Sequence, residues 1–301
     1  MVAIDLGSNT LRVLEYDCNT NKQIAVYEKV VKTADGLAEF GFINDTSIQR
    51  IISAIKDAQR TIKFLSKHIK AVTTEAVRRA SNSEEVLFQI KKETGISFEI
   101  ISGYEEARLT LLAVKNRLEI LHYASDNFVL VDIGGGSTEL IFHYNDETIS
   151  KSFPIGIVTI AQSYEDLENI QQALPHEMLS MQNFVNETYV RKGMVDSFVA
   201  TAGTPTTVAA MKLGFNYEMY DANKINGTSL QKEELHFYLN KLLSLPFNER
   251  EVAVGTGRSD LIAAGILIYK QLFILLGFEN CVVIDDGLRE GIALDLCKNA
   301  T

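Results

Sequence analysis

The chain contains no tryptophan, only four prolines, three cysteines and five histidines in 301 residues. Cationic side chains are in deficit as well, with 29 Lys and Arg against 39 Asp and Glu, a formal charge of −10. Each shortage excludes something. Cys18, Cys281 and Cys297 have neither metal-binding nor redox-motif spacing, so reduced thiols and a cytoplasmic location are the expectation. The histidines at 68, 122, 143, 176 and 236 form no HExxH or i, i+4 pair, which argues against a histidine-held metal. The negative balance argues against a broad electrostatic surface for nucleic acid. No apolar run approaches the roughly 20 residues that span a bilayer. The most apolar stretch, 261–278, is interrupted by Tyr269, Lys270 and Gln271 and reads as a buried helix. No basic leader precedes the first strand, so no signal peptide and no membrane partner are expected.

What the chain does have is a doubled element. Residues 1–16 and 128–144 both run from an apolar strand into Asp, a glycine turn, a small hydroxylated residue and a second apolar run. Asp5 aligns with Asp132, Gly7 with Gly134, and Thr10 with Ser137. Two related half-molecules follow from this repetition, and a phosphate chain with a metal ion is the natural ligand of such turns.

In Asp132-Ile-Gly-Gly-Gly-Ser-Thr-Glu139 three consecutive glycines, Gly134, Gly135 and Gly136, let backbone amides approach an anion, with Ser137 beside them. Asp132 and Glu139 bracket the turn. Mg²⁺ takes one or two carboxylates with phosphate oxygens and water, so the pair suits that ion. A plain hairpin is the competing reading, but it needs fewer glycines. The first loop offers Ser8 and Asn9 as donors.

Glu105 and Glu106 follow Ser102 at a helix start, where acids suit the dipole. Alternatively, Glu106 accepts a proton from an attacking water if two domains close over a cleft. Arg78 suits bidentate phosphate contact, against the commoner fate of a solvated Arg; four residues on, Asn82 shares its face if both are helical. The turns at 202–204 and 287–291 present amides at helix starts, with Gly203 and Thr204 in the first. Arg258 precedes another helix. There is no P-loop, no GxGxxG after a strand and no GxSxG elbow.

Periodicity predicts two mixed α/β halves. In the first, strands at 2–6, 11–17, 24–32, 69–72 and 98–101 alternate with helices at 47–67, 84–94 and 103–122. In the second, strands at 127–133, 137–144, 147–153, 197–201 and 281–284 are followed or separated by helices at 176–190, 204–213, 231–243 and 257–276, with a polar loop at 214–229 and a last helix from Gly287. A hinge is expected at 117–126, giving domains 1–120 and 121–301, with the helix at 287–298 packing back on the first.

Seven collinear segments carry a resemblance: Ile-Asp-Leu-Gly-Ser-Asn (4–9), Thr-x-Ala-Val-Arg-x-Ala-x-Asn (74–82), Ile-Ser-Gly-x-Glu-Glu-Ala-Arg (101–108), Asp-Ile-Gly-Gly-Gly-Ser-Thr-Glu (132–139), Ala-Gly-Thr (202–204), Arg-Ser-Asp (258–260) and Gly-Leu-Arg-Glu-Gly (287–291). Together they resemble the exopolyphosphatase/guanosine pentaphosphate phosphohydrolase (Ppx/GppA) family of the actin-like ATPase superfold. The resemblance implies two actin-like, ribonuclease H-like domains with the active site in the cleft between them. It implies release of a terminal phosphate from polyphosphate or pppGpp, the latter tied to the stringent response, with Mg²⁺, and K⁺ as an activator. It also implies Glu106 as catalytic base, Asp5, Asp132 and Glu139 as the metal site, and phosphate contacts from Ser8, Asn9, Arg78, Gly134 to Ser137, Gly203 and Thr204.

The chain departs from the family pattern at Lys32, Ala113 and Ile284, which bears on substrate placement. Longer members carry a further helical region that holds long polymers; without it, short chains or pppGpp are the expected substrates, with a homodimer as the expected assembly. An actin-like kinase and a non-catalytic regulator binding (p)ppGpp or polyphosphate are the alternatives.

Overall fold

The structure is a computed structural model. It describes every residue except 63, 65–67, 146, 165, 256, 257, 300 and 301, and the side chains of 260 and 299 are also outside the described set. Position 65 of the expected helical stripe, Thr256 and Gly257 of the turn before Arg258, and the side chain of Asp260 therefore lie outside the described residues.

The chain divides into two units: residues 1–113 with 287–301, and residues 114–286. In the first, β1 (Val2–Leu6), β2 (Thr10–Asp17) and β3 (Lys22–Val30) form an antiparallel meander. The short helix α1 (Leu37–Phe40) and α2 (Asp45–Thr61) follow, then β4 (Ile69–Thr73), α3 (Glu75–Arg79), α4 (Ser83–Thr94), β5 (Phe98–Ile100) and α5 (Gly103–Ile120), whose residues from 114 on are counted with the second unit. The sheet order is β3-β2-β1-β4-β5, with β4 parallel to β1 and β5 parallel to β4.

Alternation along β1 explains how the unit is layered. Val2, Ile4 and Leu6 face a core built with α2, whose Ile48, Ile51, Ile52 and Ile55 are buried on one stripe. Each such side chain contributes about 1.5–3 kcal/mol on burial. The Asn44 side chain caps the helix by accepting from the Ser47 amide at 2.8 Å. Ala3 faces the opposite core, with Leu14, Tyr16, Val72 and Leu109. Asp5 shares that side of the pleat, and it is buried.

The second unit repeats the plan. β6 (Asn127–Ile133), β7 (Thr138–Tyr144) and β8 (Glu147–Phe153) form a meander. Then come α6 (Ile157–Ser163), α7 (Leu167–Glu177), α8 (Leu179–Lys192), β9 (Ser197–Thr201), α9 (Gly203–Lys212), α10 (Ala222–Ile225), β10 (Thr228–Gln231), α11 (Lys232–Ser244), α12 (Phe247–Val254), α13 (Ser259–Leu276) and β11 (Asn280–Val283). The order is β10-β11-β9-β6-β7-β8, with β9 parallel to β6 and β11 parallel to β9. The apolar stretch at 261–278 is α13, with Tyr269, Leu272 and Phe273 buried. No helix among the described residues is long and apolar enough to cross a membrane. The last helix, α14 (Leu288–Asn299), belongs to the first unit, where Leu288, Ile292 and Ala293 join the core of Ala3 and Leu109.

Three expectations need correction. Arg78 and Asn82 do not share a helix, because α3 ends at Arg79 and Ala80 is extended. Asn82 instead accepts from the Ile43 amide and donates to its carbonyl. The segment 214–229 is not wholly a loop: α10 lies within it and β10 begins at its end, an edge strand with one buried side chain, Leu230, too short to show alternation. Finally, the cysteines are not all reduced thiols. Cys18 and Cys297 are disulfide-bonded although 279 residues apart, because α14 returns to the end of β2. Spacing along the chain carries no trace of that contact.

Candidate active site

The strand–turn–strand units of the two halves share one construction. In the first, the Gly7 amide donates to the Thr10 carbonyl at 3.0 Å, closing the turn. The Asn9 carbonyl accepts from the Val31 and Lys32 amides, and the Ser8 carbonyl from Ala34. Two carbonyls of this loop are thus engaged by the chain leaving β3. The amides of Ser8 and Asn9 have no acceptor among the described residues.

In the second unit the Gly134 amide donates to the Ser137 carbonyl at 2.9 Å. The Gly134 and Gly135 carbonyls accept from Ile157 and Val158 at the start of α6. Gly156 makes this approach possible: a Cβ there would lie 2.4 Å from the Gly135 carbonyl oxygen. The amides of Gly135, Gly136 and Ser137 have no acceptor among the described residues. In each turn two carbonyls are tied back by following backbone while successive amides lack an acceptor among the described residues, an arrangement suited to an anion-binding nest.

Asp132 and Glu139 are direct partners across the β6–β7 pair. Glu139 is buried, and the Ser152 hydroxyl donates to one of its oxygens at 2.7 Å. Thr201 is the parallel partner of Asp132 on β9, so the turn at Ala202 and Gly203 follows directly on the neighbouring strand. Ala202 has φ +74°, a left-handed conformation that costs a non-glycine residue energy. Arg258 lies over Gly203, where a Cβ would meet its guanidinium at 2.7 Å. It also stacks on the Tyr217 ring, 5.9 Å from the centroid. Thr204 is fully buried, and a Cβ on Gly265 of α13 would lie 2.2 Å from its hydroxyl.

In the first unit Arg78 and Glu106 come together. Arg78 donates to the Ile101 carbonyl at 2.7 Å, pairs with Glu75, and lies 3.7 Å from the Glu106 carboxylate. Glu106 is buried in the first turn of α5, and its amide donates to the Ser102 carbonyl. Glu105, on another face, is engaged by Arg108 through two 2.8 Å bonds, which hold its carboxyl below the usual range. Asp5 lies 4.0 Å from Arg12, itself bonded to Glu28. Among the described residues no group of three or more His, Cys, Asp or Glu is gathered as for a metal.

The profile of the Ppx/GppA phosphatase family matches residues 19–300. The chain belongs to that family. Exopolyphosphatase 2 of Mycobacterium tuberculosis is 26% identical over 98% of this chain and 98% of its own. The bifunctional 3-dehydroquinate synthase/phosphatase of Fusobacterium nucleatum is 25% identical, with 99% of this chain covering 46% of that protein, less than half its length. The Ppx/GppA family member of Aquifex aeolicus has a solved structure with a TM-score of 0.72 and 29% identity, covering 100% of this chain and 98% of that one. The two mixed-sheet units are therefore the two actin-like domains of a Ppx/GppA protein.

Several contributors in this Ppx/GppA chain escaped sequence reasoning: Gly156 behind the glycine loop, Ser152 on Glu139 and Glu75 on Arg78. The Phe153-Pro-Ile-Gly156 run after a strand was the available signal for the first. The others are ordinary residue types: Ser152 meets Glu139 through strand register, and Glu75 meets Arg78 through i, i+3 spacing on α3.

Proposed function

We propose that the chain is a phosphohydrolase that releases the terminal phosphate of short inorganic polyphosphate, or of pppGpp, by attack of water. The observation that carries this reading is the pair of Asp–Gly turns in which the Ser8, Asn9, Gly134 and Gly135 carbonyls are engaged by following backbone while the amides of Ser8, Asn9, Gly135, Gly136 and Ser137 have no acceptor among the described residues. The family membership and the exopolyphosphatase names of its relatives support it.

On this reading the amides of Ser8, Asn9, Gly135, Gly136 and Ser137 take the charge of phosphate oxygens, which is where phosphoryl transfer draws most of its catalysis. Gly203 adds the amides at the start of α9. Glu106 accepts the proton of the attacking water, and Arg78 holds the Glu106 carboxylate in place. Asp132 and Glu139 fit Mg²⁺: they are hard oxygen donors in cross-strand register, one of them oriented by a hydroxyl, and the ion draws its other ligands from phosphate and water. Asp5 stands at the matching position of the other turn. Bound there, Mg²⁺ would neutralise phosphate charge.

Phosphate release from short polyphosphate, long polyphosphate, pppGpp and ATP, measured side by side, tests the reading. Short polyphosphate or pppGpp should lead, and Glu106→Gln should lower turnover about 10²–10⁴-fold. ADP formation that depends on an acceptor would make the chain a kinase. Tight binding without turnover would make it a regulator.

A further inference from the structure

The first unit is discontinuous, since α14 rejoins it after the whole of the second unit. Packing of Leu288, Ile292 and Ala293 seats that helix. An ion pair between Asp295 and Arg108 at 2.9 Å holds its middle. Its far end is held covalently, by the bond from Cys297 to Cys18 just past β2, with Cα atoms 5.4 Å apart, within the range a disulfide spans without backbone movement. The Met1 thioether lies 3.3 Å from one sulfur and 3.5 Å from the other.

The three cysteines are divided by environment. Cys18 and Cys297 are half-buried at the surface of the unit. Cys281 is fully buried against the Tyr269 hydroxyl, and burial pushes its thiol up to about 12. A buried thiol of that kind is inert, whereas a partly exposed pair is open to exchange.

We propose that Cys18 and Cys297 are a reversible thiol–disulfide exchange site, a latch that fastens the C-terminal helix to the β2–β3 hairpin in response to the small-molecule thiol pool. The oxidant is a low-molecular-weight disulfide such as oxidised glutathione. One protein thiolate attacks a sulfur of that disulfide and expels one small thiol. The second protein thiolate attacks the resulting mixed disulfide at the protein sulfur and expels the other. Two protein thiols are oxidised, one disulfide is reduced, and the two protons end on the released thiols.

Because residue 297 is two positions from Asp295, and Asp295 is paired to α5, the latch also restrains the helix that carries Glu106. An effect on turnover rests on the hydrolase reading above; the thiol count and melting temperature do not.

The test uses the full chain equilibrated in reduced and oxidised glutathione mixtures. Thiols are counted with a small alkylating reagent, native and after denaturation, and sites are read by peptide mass. The oxidised form should show no reactive thiol when native and one, Cys281, when unfolded. The reduced form should show two and three. Closure of so long a loop should raise the melting temperature of the oxidised form by about 5 °C or more. Cys18→Ser and Cys297→Ser should each abolish the shift, and Cys281→Ser should keep it. If a serine variant fails to fold, the two redox forms of the unaltered chain still decide. Three free thiols in the oxidised sample, a bond involving Cys281, or equal melting temperatures would overturn the latch.

Discussion

Gly291→Ala tests how Glu106 is held. Gly291 lies in the first turn of α14, and a Cβ there would sit 2.0 Å from the Leu109 carbonyl oxygen, 2.5 Å from its carbon and 3.1 Å from its Cα. These are backbone atoms of α5, so no side chain can swing aside. Restoring ordinary contact requires the two helices to part locally by about 1.4 Å. Overpacking of this kind costs about 1–3 kcal/mol, or roughly 2–5 °C in melting temperature at this size. The displaced segment begins three residues after Glu106, and a misplacement of about 1 Å in a reacting group costs on the order of 10²-fold in rate. The variant should therefore lose stability modestly and turnover heavily, with the loss in kcat and not in KM. Gly95→Ala is the control. Gly95 has φ +76° with open space around it, so alanine should cost about 1–2 kcal/mol of strain there and leave kcat alone. A Gly291→Ala enzyme with normal melting and normal kcat would refute the reasoning. Normal kcat with lowered stability would free Glu106 from dependence on α14.

Three further outcomes are expected. His143 accepts from Lys115 at 2.9 Å and so donates through its other nitrogen to Thr148. Burial first, then Lys115, lowers its pKa below 6.5 against the pull of Asp126, so the unfolded chain binds the proton first. Its stabilising contribution is full above about pH 6.5 and is lost as pH falls through the lower folded value; denaturant midpoints across that window should fall, and His143→Gln should flatten the slope. Gly156→Ala drives a methyl into the Gly135 carbonyl and should displace the triple-glycine turn, raising KM for a phosphate substrate several-fold; an unchanged KM would mean the turn does not bind substrate. Glu139→Gln keeps the Ser152 contact but removes a charge, and should raise the Mg²⁺ concentration needed for half-maximal activity about tenfold or more; an unchanged Mg²⁺ titration would remove Glu139 from the metal site.

What the sequence disclosed and what it hid divide along a physical line. The twin turns were legible because Asp5 and Asp132 sit at the end of uninterrupted apolar runs, and glycines in that place are hard to spend on anything but a tight turn. Meander strands and the long helices α2, α5 and α13 were legible through periodicity, since each buries a continuous stripe or face. The short elements were not: α10 and β10 bury one side chain each, Ile225 and Leu230, and no period can be read from a single point. Contacts between remote segments were hidden for a related reason. Gly291 on Leu109, Gly156 on Gly135 and Cys18 with Cys297 depend on where the chain returns, and local composition is silent about returns. Yet one of these glycines stood in a segment already singled out, Gly-Leu-Arg-Glu-Gly291, and the other, in Pro-Ile-Gly156, was there to be read though it was passed over. Both lie at or near helix starts with φ negative, where alanine would do as well for the backbone. A glycine that local conformation does not demand points to an approach by something distant, and here that something is the backbone of α5 beside Glu106 and the turn carrying Gly135.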